Sequence, residues 1–308
     1  MALNTVKICG HGRQIKYLEK LKKRGLPISA FLFSGKDGVG KKTVALNFIA
    51  GLFCEEGVLP GVLACGECEN CQRLISGAHP DFSILSGEEE IGIDEVRELK
   101  RRLSFSSYSG SWRGVLVDDA HRMNEQAQGA LLKMVEEPIG KTLFFFVTSM
   151  PYLLLETVRS RLLELSFGAV SDGELKSWAE NNFVKSKGLG EVFAVANGRP
   201  GKVKLFLENP EAFKEEKVRV SKFEPVLKTS LADQFLFSEK LLREDDSEVR
   251  NFLQFLIGKA RDRVLSGGGG PDAREEVGQM LNHYFQLENT NINRRLIIDS
   301  ALLSFRNL

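Results

Sequence analysis

The chain has 308 residues, 43% of them apolar and 27% charged, the make-up of an ordinary globular protein with two or three domains and real cores. A net charge of +1 argues against an all-over polyanion binder, although it leaves room for a local basic face. No apolar run is long enough to span a bilayer, and the first residues lack a signal-peptide core, so a cytoplasmic address is expected.

In chain order, the first strong signal is the apolar run Ala30–Phe33, which reads as a strand. It leads into Gly35-Lys36-Asp37-Gly38-Val39-Gly40-Lys41-Lys42-Thr43, and then into a helical pattern through Val44, Phe48 and Leu52. This is the strand, glycine-rich turn and helix context of a phosphate loop. Gly35, Gly38 and Gly40 let backbone N–H groups close around phosphates, and Lys41 adds a point charge. The residue after Lys41 should carry the hydroxyl that holds Mg²⁺, yet it is Lys42. Thr43 lies about 100° further round the helix, poorly placed for the same ion. A nucleotide with Mg²⁺ is therefore a weakened expectation for this loop.

Four of the five cysteines follow closely: Cys54, then Cys65, Cys68 and Cys71 in two overlapping C-x-x-C turns. In a reducing compartment, clustered thiols favour metal over disulfides. Four thiolates suit a closed, tetrahedral, structural Zn²⁺ site. Buried free thiols or a redox pair are the alternatives, and this spacing favours them less. Cys9 stands apart and reads as a small buried residue.

Next come the strand Phe82–Leu85 and a helix over Asp94–Leu103. Arg97, Lys100 and Arg101 share one face of that helix and would suit DNA phosphates, although a solvated basic face balanced by Glu95 and Glu98 explains them as well. The strand Val115–Val117 ends in Asp118-Asp119-Ala120-His121. In P-loop ATPases the first acid here helps to hold Mg²⁺ and a following Glu orients the attacking water. Asp119 in that second place is roughly 1.5 Å too short. His121 reads as a polar residue at the edge of the site. A helix over Glu125–Val135 precedes the strand Leu143–Val147, which ends in the hydroxyls Thr148-Ser149, placed to sense a phosphate or a water. Thr157-Val158-Arg159-Ser160-Arg161 then precedes the strand Leu163–Phe167, with Arg161 expected to face away from its own phosphate loop. Alternating strands and helices predict a parallel sheet covered on both faces.

After Phe167 the strands stop. Ser171 to Glu174 reads as a capping box opening a helix through Trp178, and a small helical unit follows, punctuated by Asn197-Gly198-Arg199-Pro200-Gly201. From about Pro210 the patterns are helical only, over Phe235–Leu242, Val249–Leu265, Val277–Phe285 and Leu296–Phe305. Gly267–Gly270 with Pro271 reads as a connection between two of these helices.

These residues together resemble the δ′ family of bacterial DNA polymerase III clamp-loader subunits, within the AAA+ superfamily. The resemblance covers most of the chain. It rests on the cysteine insertion, His79-Pro80-Asp81, Ile93-Asp94-Glu95-Val96-Arg97, Ala130 to Pro138, Ser160-Arg161 and Asn291 to Leu296. Leu162 departs from the family's Ser-Arg-Cys without touching the arginine. The resemblance implies an AAA+ module over residues 1–168 with a zinc insertion at 54–71, a helical lid over 169–209 and a helical collar over 210–308. It implies γ/τ and δ subunits, the sliding clamp and primer–template DNA as partners. Arg161, with Ser160, would act as an arginine finger on a neighbour's ATP. The γ/τ sibling carries a lid arginine that touches nucleotide; here its place is Gly201, with Arg199 offset by two. Losses at Lys42, Asp119 and Gly201 argue that this chain does not turn over ATP itself. The competing readings are an active γ/τ-like ATPase, and a zinc-stabilised DNA-binding module with a vestigial nucleotide fold.

Overall fold

The computed structural model describes residues 8–56, 64–87, 90–108, 112–183, 189–244, 246–265, 277–280, 284 and 293–307. The chain divides into two compact units, Met1–Asn209 and Pro210–Leu308. Among the described residues, no helix is long and apolar enough to cross a membrane.

The first unit runs α1 (Gly12–Lys23), β1 (Ala30–Gly35), α2 (Lys41–Phe53), α3 (Glu69–Ile75), β2 (Phe82–Leu85), α4 (Ile93–Ser104) and β3 (Arg113–Val117). It continues with α5 (Glu125–Glu136), β4 (Thr142–Thr148), the short α6 (Glu156–Arg159), β5 (Leu163–Phe167), α7 (Asp172–Asn182), α8 (Leu189–Ala196) and α9 (Pro200–Glu208). All five expected strands pair in parallel, in the order β2-β3-β4-β1-β5.

Alternation along the strands feeds two cores. Phe31, Phe33, Phe145 and Val147 pack on one face with Ile15, Leu18, Phe48 and Ile49 from α1 and α2. Leu32, Val115, Val117, Phe144 and Phe146 pack on the other with Val96, Leu99, Leu131 and Met134 from α4 and α5. Phe31 and Phe145 stack at 5.2 Å between ring centres. Each fully buried Phe contributes about 2–3 kcal/mol by leaving water. Because both faces are covered, β1 and β4 read as unbroken apolar runs in the sequence. A parallel sheet of this order, with a phosphate loop between β1 and α2 and helices after β5, is the AAA+ architecture that the resemblance implied.

Local signals fix the helix starts. Ser171 Oγ accepts from the Glu174 N–H at 3.4 Å and donates to Glu174 Oε2 at 2.7 Å, opening α7 as expected. Asn124 caps α5 by accepting from the Ala127 N–H at 2.9 Å. At its other end α4 is closed by the buried Arg113, whose guanidinium donates to the carbonyls of Leu103 and Phe105. Asp81, in the His79-Pro80-Asp81 turn, accepts from the Tyr108 N–H at 2.8 Å, while His79 stacks on Phe53 at 4.0 Å.

The second unit contains α10 (Pro210–Phe223), α11 (Leu231–Leu241), α12 (Asp246–Leu265) and α13 (Arg294–Asn307). Phe223, Phe237 and Phe252 form an aromatic cluster between α10, α11 and α12. Helix α13 packs on α11 and α12, and Ser238 Oγ donates to Asp299 Oδ1 at 2.6 Å. Helix α11 starts earlier than its apolar pattern suggests, because Ser230 caps it through the Asp233 N–H at 3.2 Å. The expected Gly267–Pro271 connection and the Asn291-Ile292 pair lie outside the described residues, as does part of the Val277–Phe285 helix.

Candidate nucleotide and metal sites

The phosphate loop is built where β1 ends. Gly35 has φ +147°, and a Cβ there would sit 2.2 Å from the Phe167 carbonyl oxygen, so only glycine fits. Lys41 is buried, and its Nζ donates to Gly35 O and Lys36 O, each at 2.7 Å. His11 Nε2 is 2.8 Å from Val39 O; a carbonyl only accepts, so that nitrogen carries the proton. Burial holds His11 below its ordinary pKa, keeping it neutral.

The neighbouring lysine behaves differently. Lys42 Nζ donates to Asp118 Oδ2 at 2.6 Å, placing an ammonium on the carboxylate that ends β3. The next acid, Asp119, adopts φ 47°, and its carboxylate lies 3.8 Å from Arg122 Nε. Thr148 is fully buried at the end of β4; its Oγ1 accepts from the Met150 N–H at 2.9 Å and lies 3.1 Å from His121 Nδ1. Thr148 is thus turned inward, into contacts within the chain. His121, read from the sequence as an edge residue, bridges β4 to the turn after β3, and burial lowers its pKa.

The donor set does not fit Mg²⁺. That ion wants oxygen ligands in a tight octahedron, while an ammonium offers donors only. Thr43 lies half-buried on α2, one residue beyond Lys42. The start of α9 closes over the loop: the Gly201 N–H donates to Gly38 O at 2.7 Å. A Cβ on Gly201 would meet the Gly38 Cα and O at 3.0 Å. Arg199 turns back onto α8, where its Nε donates to Ala196 O at 2.7 Å.

The cysteines do converge. Cys54 caps the end of α2, Cys68 precedes α3 and Cys71 lies within it. The Sγ atoms of Cys54, Cys65, Cys68 and Cys71 all lie within 4.8 Å of one another. Tetrahedral zinc with bonds near 2.3 Å needs sulfurs about 3.8 Å apart, so these four thiols fit with a small contraction. The N–H groups of Cys68 and Glu67 point at Cys65 Sγ, at 3.3 and 3.4 Å, and bring its pKa down to about 7. Burial pushes Cys71 and Cys54 the other way. Four close cysteines of this kind make a site for a metal such as zinc. Cys9, buried elsewhere, has its thiol pushed up to about 12 by burial and by Glu174.

Arg161 lies just before β5, at the opposite end of the strands from the phosphate loop. Gly35 pairs with Phe167, whereas Phe31 pairs with Leu163, so about 13 Å of strand separates the two ends. Arg161 Nε donates to the Glu136 carboxylate, and Nη1 donates to Thr157 O at 2.8 Å and reaches Ser160 Oγ at 3.3 Å. Ser160 Oγ itself donates to Thr157 O at 3.1 Å. The guanidinium is half-exposed. The partnership with Glu136 has no sequence signal.

On α4, the arginines of the basic stripe have close acidic partners. Arg97 pairs with Asp94 at 2.8 Å, while Arg101 and Arg102 share Glu98 at 2.8 and 3.1 Å. Those two guanidiniums bring the Glu98 carboxyl down to about 2. Glu95, expected among the balancing acids, instead accepts from the Gly92 N–H at 3.0 Å.

Residues 10–171 match the family described as DNA polymerase III, delta subunit, more than half of the chain. The chain belongs to that family. The DNA polymerase III subunit delta′ of Pseudomonas aeruginosa is 34% identical over 176 residues, 56% of this chain and 53% of that protein. The delta′ subunit of Escherichia coli is 36% identical over 135 residues, 43% of this chain and 40% of that protein. The tau/gamma subunit of Haemophilus influenzae is 33% identical over 146 residues, 47% of this chain and 21% of that protein. The match thus spans about half the length of the Pseudomonas relative. Among solved structures, a gamma subunit-related protein from Thermotoga maritima aligns with a TM-score of 0.48 and 18% identity, covering 94% of this chain and 98% of that one. Over about half of its length the chain is similar to delta′ subunits of DNA polymerase III, in keeping with the resemblance that its motifs carry.

Proposed function

We propose that this chain serves in a DNA polymerase III clamp loader as a δ′ subunit that lends an arginine to a neighbour and does not hydrolyse ATP in its own loop. In that assembly it works with γ/τ and δ subunits to load the sliding clamp onto primer–template DNA. Residues 1–168 act as the AAA+ module, 169–209 as the lid and 210–308 as the collar that joins the ring.

One observation carries this reading: Arg161 sits at the far end of β5 from its own phosphate loop, half-exposed, with its guanidinium already oriented by Glu136 and Thr157 O. It is out of reach of its own site and presented outward. Guanidinium is permanently charged and forks onto phosphate oxygens, so a γ-phosphate offered by a neighbour is a chemically matched partner. The contribution is charge stabilisation in trans, as the neighbour's phosphoryl group leaves. Glu136 orients the fork and yields to the stronger anion.

Its own loop supports the other half of the proposal. Lys41 is fit to bind phosphate, while Lys42 on Asp118, Asp119 beside Arg122 and Gly201 against Gly38 support a loop that does not turn over ATP. The four cysteines hold a structural zinc that ties α3 to the end of α2, and its binding energy is partly folding energy. The paired state of Arg97 and Arg101 favours a solvated face on α4 over a DNA-binding stripe.

Reconstitution with γ/τ and δ subunits tests the reading. Arg161→Ala should assemble normally and lose most of the DNA-stimulated ATPase, whereas Lys41→Ala should leave that rate unchanged. Equal rates for wild type and Arg161→Ala would remove the finger role.

A further inference from the structure

We propose that the Lys42 ammonium is a built-in substitute for a divalent cation on Asp118, so that this phosphate loop takes no Mg²⁺, with or without a nucleotide. The inference deepens the reading of a non-hydrolysing loop and rests on it, but it is independent of Arg161.

Three observations converge. First, Lys42 occupies the sequence position where a hydroxyl would face the metal, and its Nζ lies 2.6 Å from Asp118 Oδ2. The pair is partly shielded, with side-chain exposures of 34% and 18%, so it is less screened than an open surface bridge. Second, a metal would have to displace Lys42 and then sit beside two ammonium groups, because Lys41 is anchored in the same loop through Gly35 O and Lys36 O. Third, two nearby groups that could contribute oxygen ligands, Asp119 and Thr148, are engaged elsewhere. The Asp119 carboxylate lies near Arg122, and Thr148 Oγ1 is bound to the Met150 N–H and lies beside His121.

The substitution is a matter of charge and not of ligation. A lysine delivers one positive charge at a fixed place, with hydrogen-bond direction and no coordination sphere. It can neutralise Asp118 and leave the loop electropositive toward phosphate. It cannot bridge two phosphate oxygens as Mg²⁺ does, nor polarise a water between them. A phosphate-bearing ligand taken up here is therefore held by Lys41 and backbone N–H groups alone. The loop becomes a fixed structural cap on α2 instead of a metal-gated switch.

The test uses the full chain, with ADP as the probe. The rise in melting temperature caused by ADP is measured in Mg²⁺ and again in EDTA, and Mn²⁺ binding is followed by electron paramagnetic resonance. For the wild type, the rise should be the same in both buffers, zero included, and Mn²⁺ should stay free. Lys42→Thr should bind ADP at least tenfold more tightly with Mg²⁺ than with EDTA and should immobilise Mn²⁺. The double variant Lys42→Thr/Asp118→Asn should lose that gain. Lys42→Ser replaces the threonine variant if circular dichroism shows that it has unfolded. Mg²⁺-dependent ADP binding by the wild type overturns the proposal, and so does a folded Lys42→Thr or Lys42→Ser variant that remains indifferent to metal. Neither result bears on the finger, which is read from a neighbour's ATP turnover.

Discussion

Arg161 and Glu136 form an ion pair across the end of α5, with Arg161 Nη1 also bound to Thr157 O at 2.8 Å. Both side chains are about two-fifths exposed, which sets the energetic expectation: such pairs contribute roughly 0–1 kcal/mol. Arg161→Ala and Glu136→Gln should each shift urea-unfolding stability by less than about 1 kcal/mol. A loss above about 2 kcal/mol would mean that Arg161 holds the fold together, leaving its role in a neighbour's site in doubt.

The cysteine cluster predicts one tightly held metal ion. Metal analysis of purified wild type should find about one zinc per chain, and Cys71→Ser should lose it. Because ligand binding to the native state is folding energy, a strong chelator should lower the melting temperature of wild type but not of Cys71→Ser. Metal-free wild type with an unchanged melting temperature would return the four thiols to the role of buried free cysteines.

Burial holds His11, His79 and His121 below the ordinary value of 6.5. In the unfolded chain each takes a proton near that value, while the folded chain resists until lower pH. The unfolded state therefore binds more protons across that window, and stability rises with pH. The histidine contribution is complete above about pH 6.5 and drains away as pH falls toward the folded-state values. Glu98, with its carboxyl brought down to about 2, stays ionised in this window and does not mask the effect. Urea midpoints should fall between about pH 7.5 and pH 5.5, and His121→Asn should flatten the slope. A flat profile for wild type would contradict the neutral, shielded state of these rings.

The fit of Gly201 against Gly38 bears on whether a lid arginine can be restored. A Cβ at 201 already meets the Gly38 backbone at 3.0 Å, so Gly201→Arg must push α9 off the phosphate loop. Overpacking of this kind costs about 1–3 kcal/mol. The variant should be less stable and still show no ATP turnover, measured as phosphate release by the isolated chain. Turnover appearing with this single change would show that the arginine was the only missing part.

The strands were legible because the sheet is covered on both faces, which writes β1 and β4 as continuous apolar runs such as Ala30–Phe33 and Leu143–Val147. The phosphate loop and the four cysteines were legible because their chemistry is encoded in short spacings. What stayed hidden is long-range pairing. Lys42 and Asp118 are 76 positions apart, and only the fold shows that the lysine fills the gap left by the missing hydroxyl. From the sequence His121 reads as a polar residue at the edge of the site, since nothing nearby announces Thr148, a neighbour 27 positions on. Glu136 belongs to an acidic helix end whose partner arrives only after β4. Helix α1 carries its apolar stripe on Ile15, Leu18 and Leu21, but it starts from His11 in a left-handed conformation (φ 61°), with no side-chain cap to mark it.

The central claim is that a cation of this chain serves a reaction centre belonging to a neighbouring subunit. The most direct measurement is DNA-stimulated ATP hydrolysis by a clamp loader reconstituted with wild type, Arg161→Ala or Arg161→Lys, with assembly verified by size-exclusion chromatography. Loss of an arginine finger is expected to lower the rate of the site it serves by about 10³-fold or more, leaving residual activity from any other sites, and lysine should rescue little. Intact complexes that hydrolyse ATP equally well with alanine at position 161 would contradict the account.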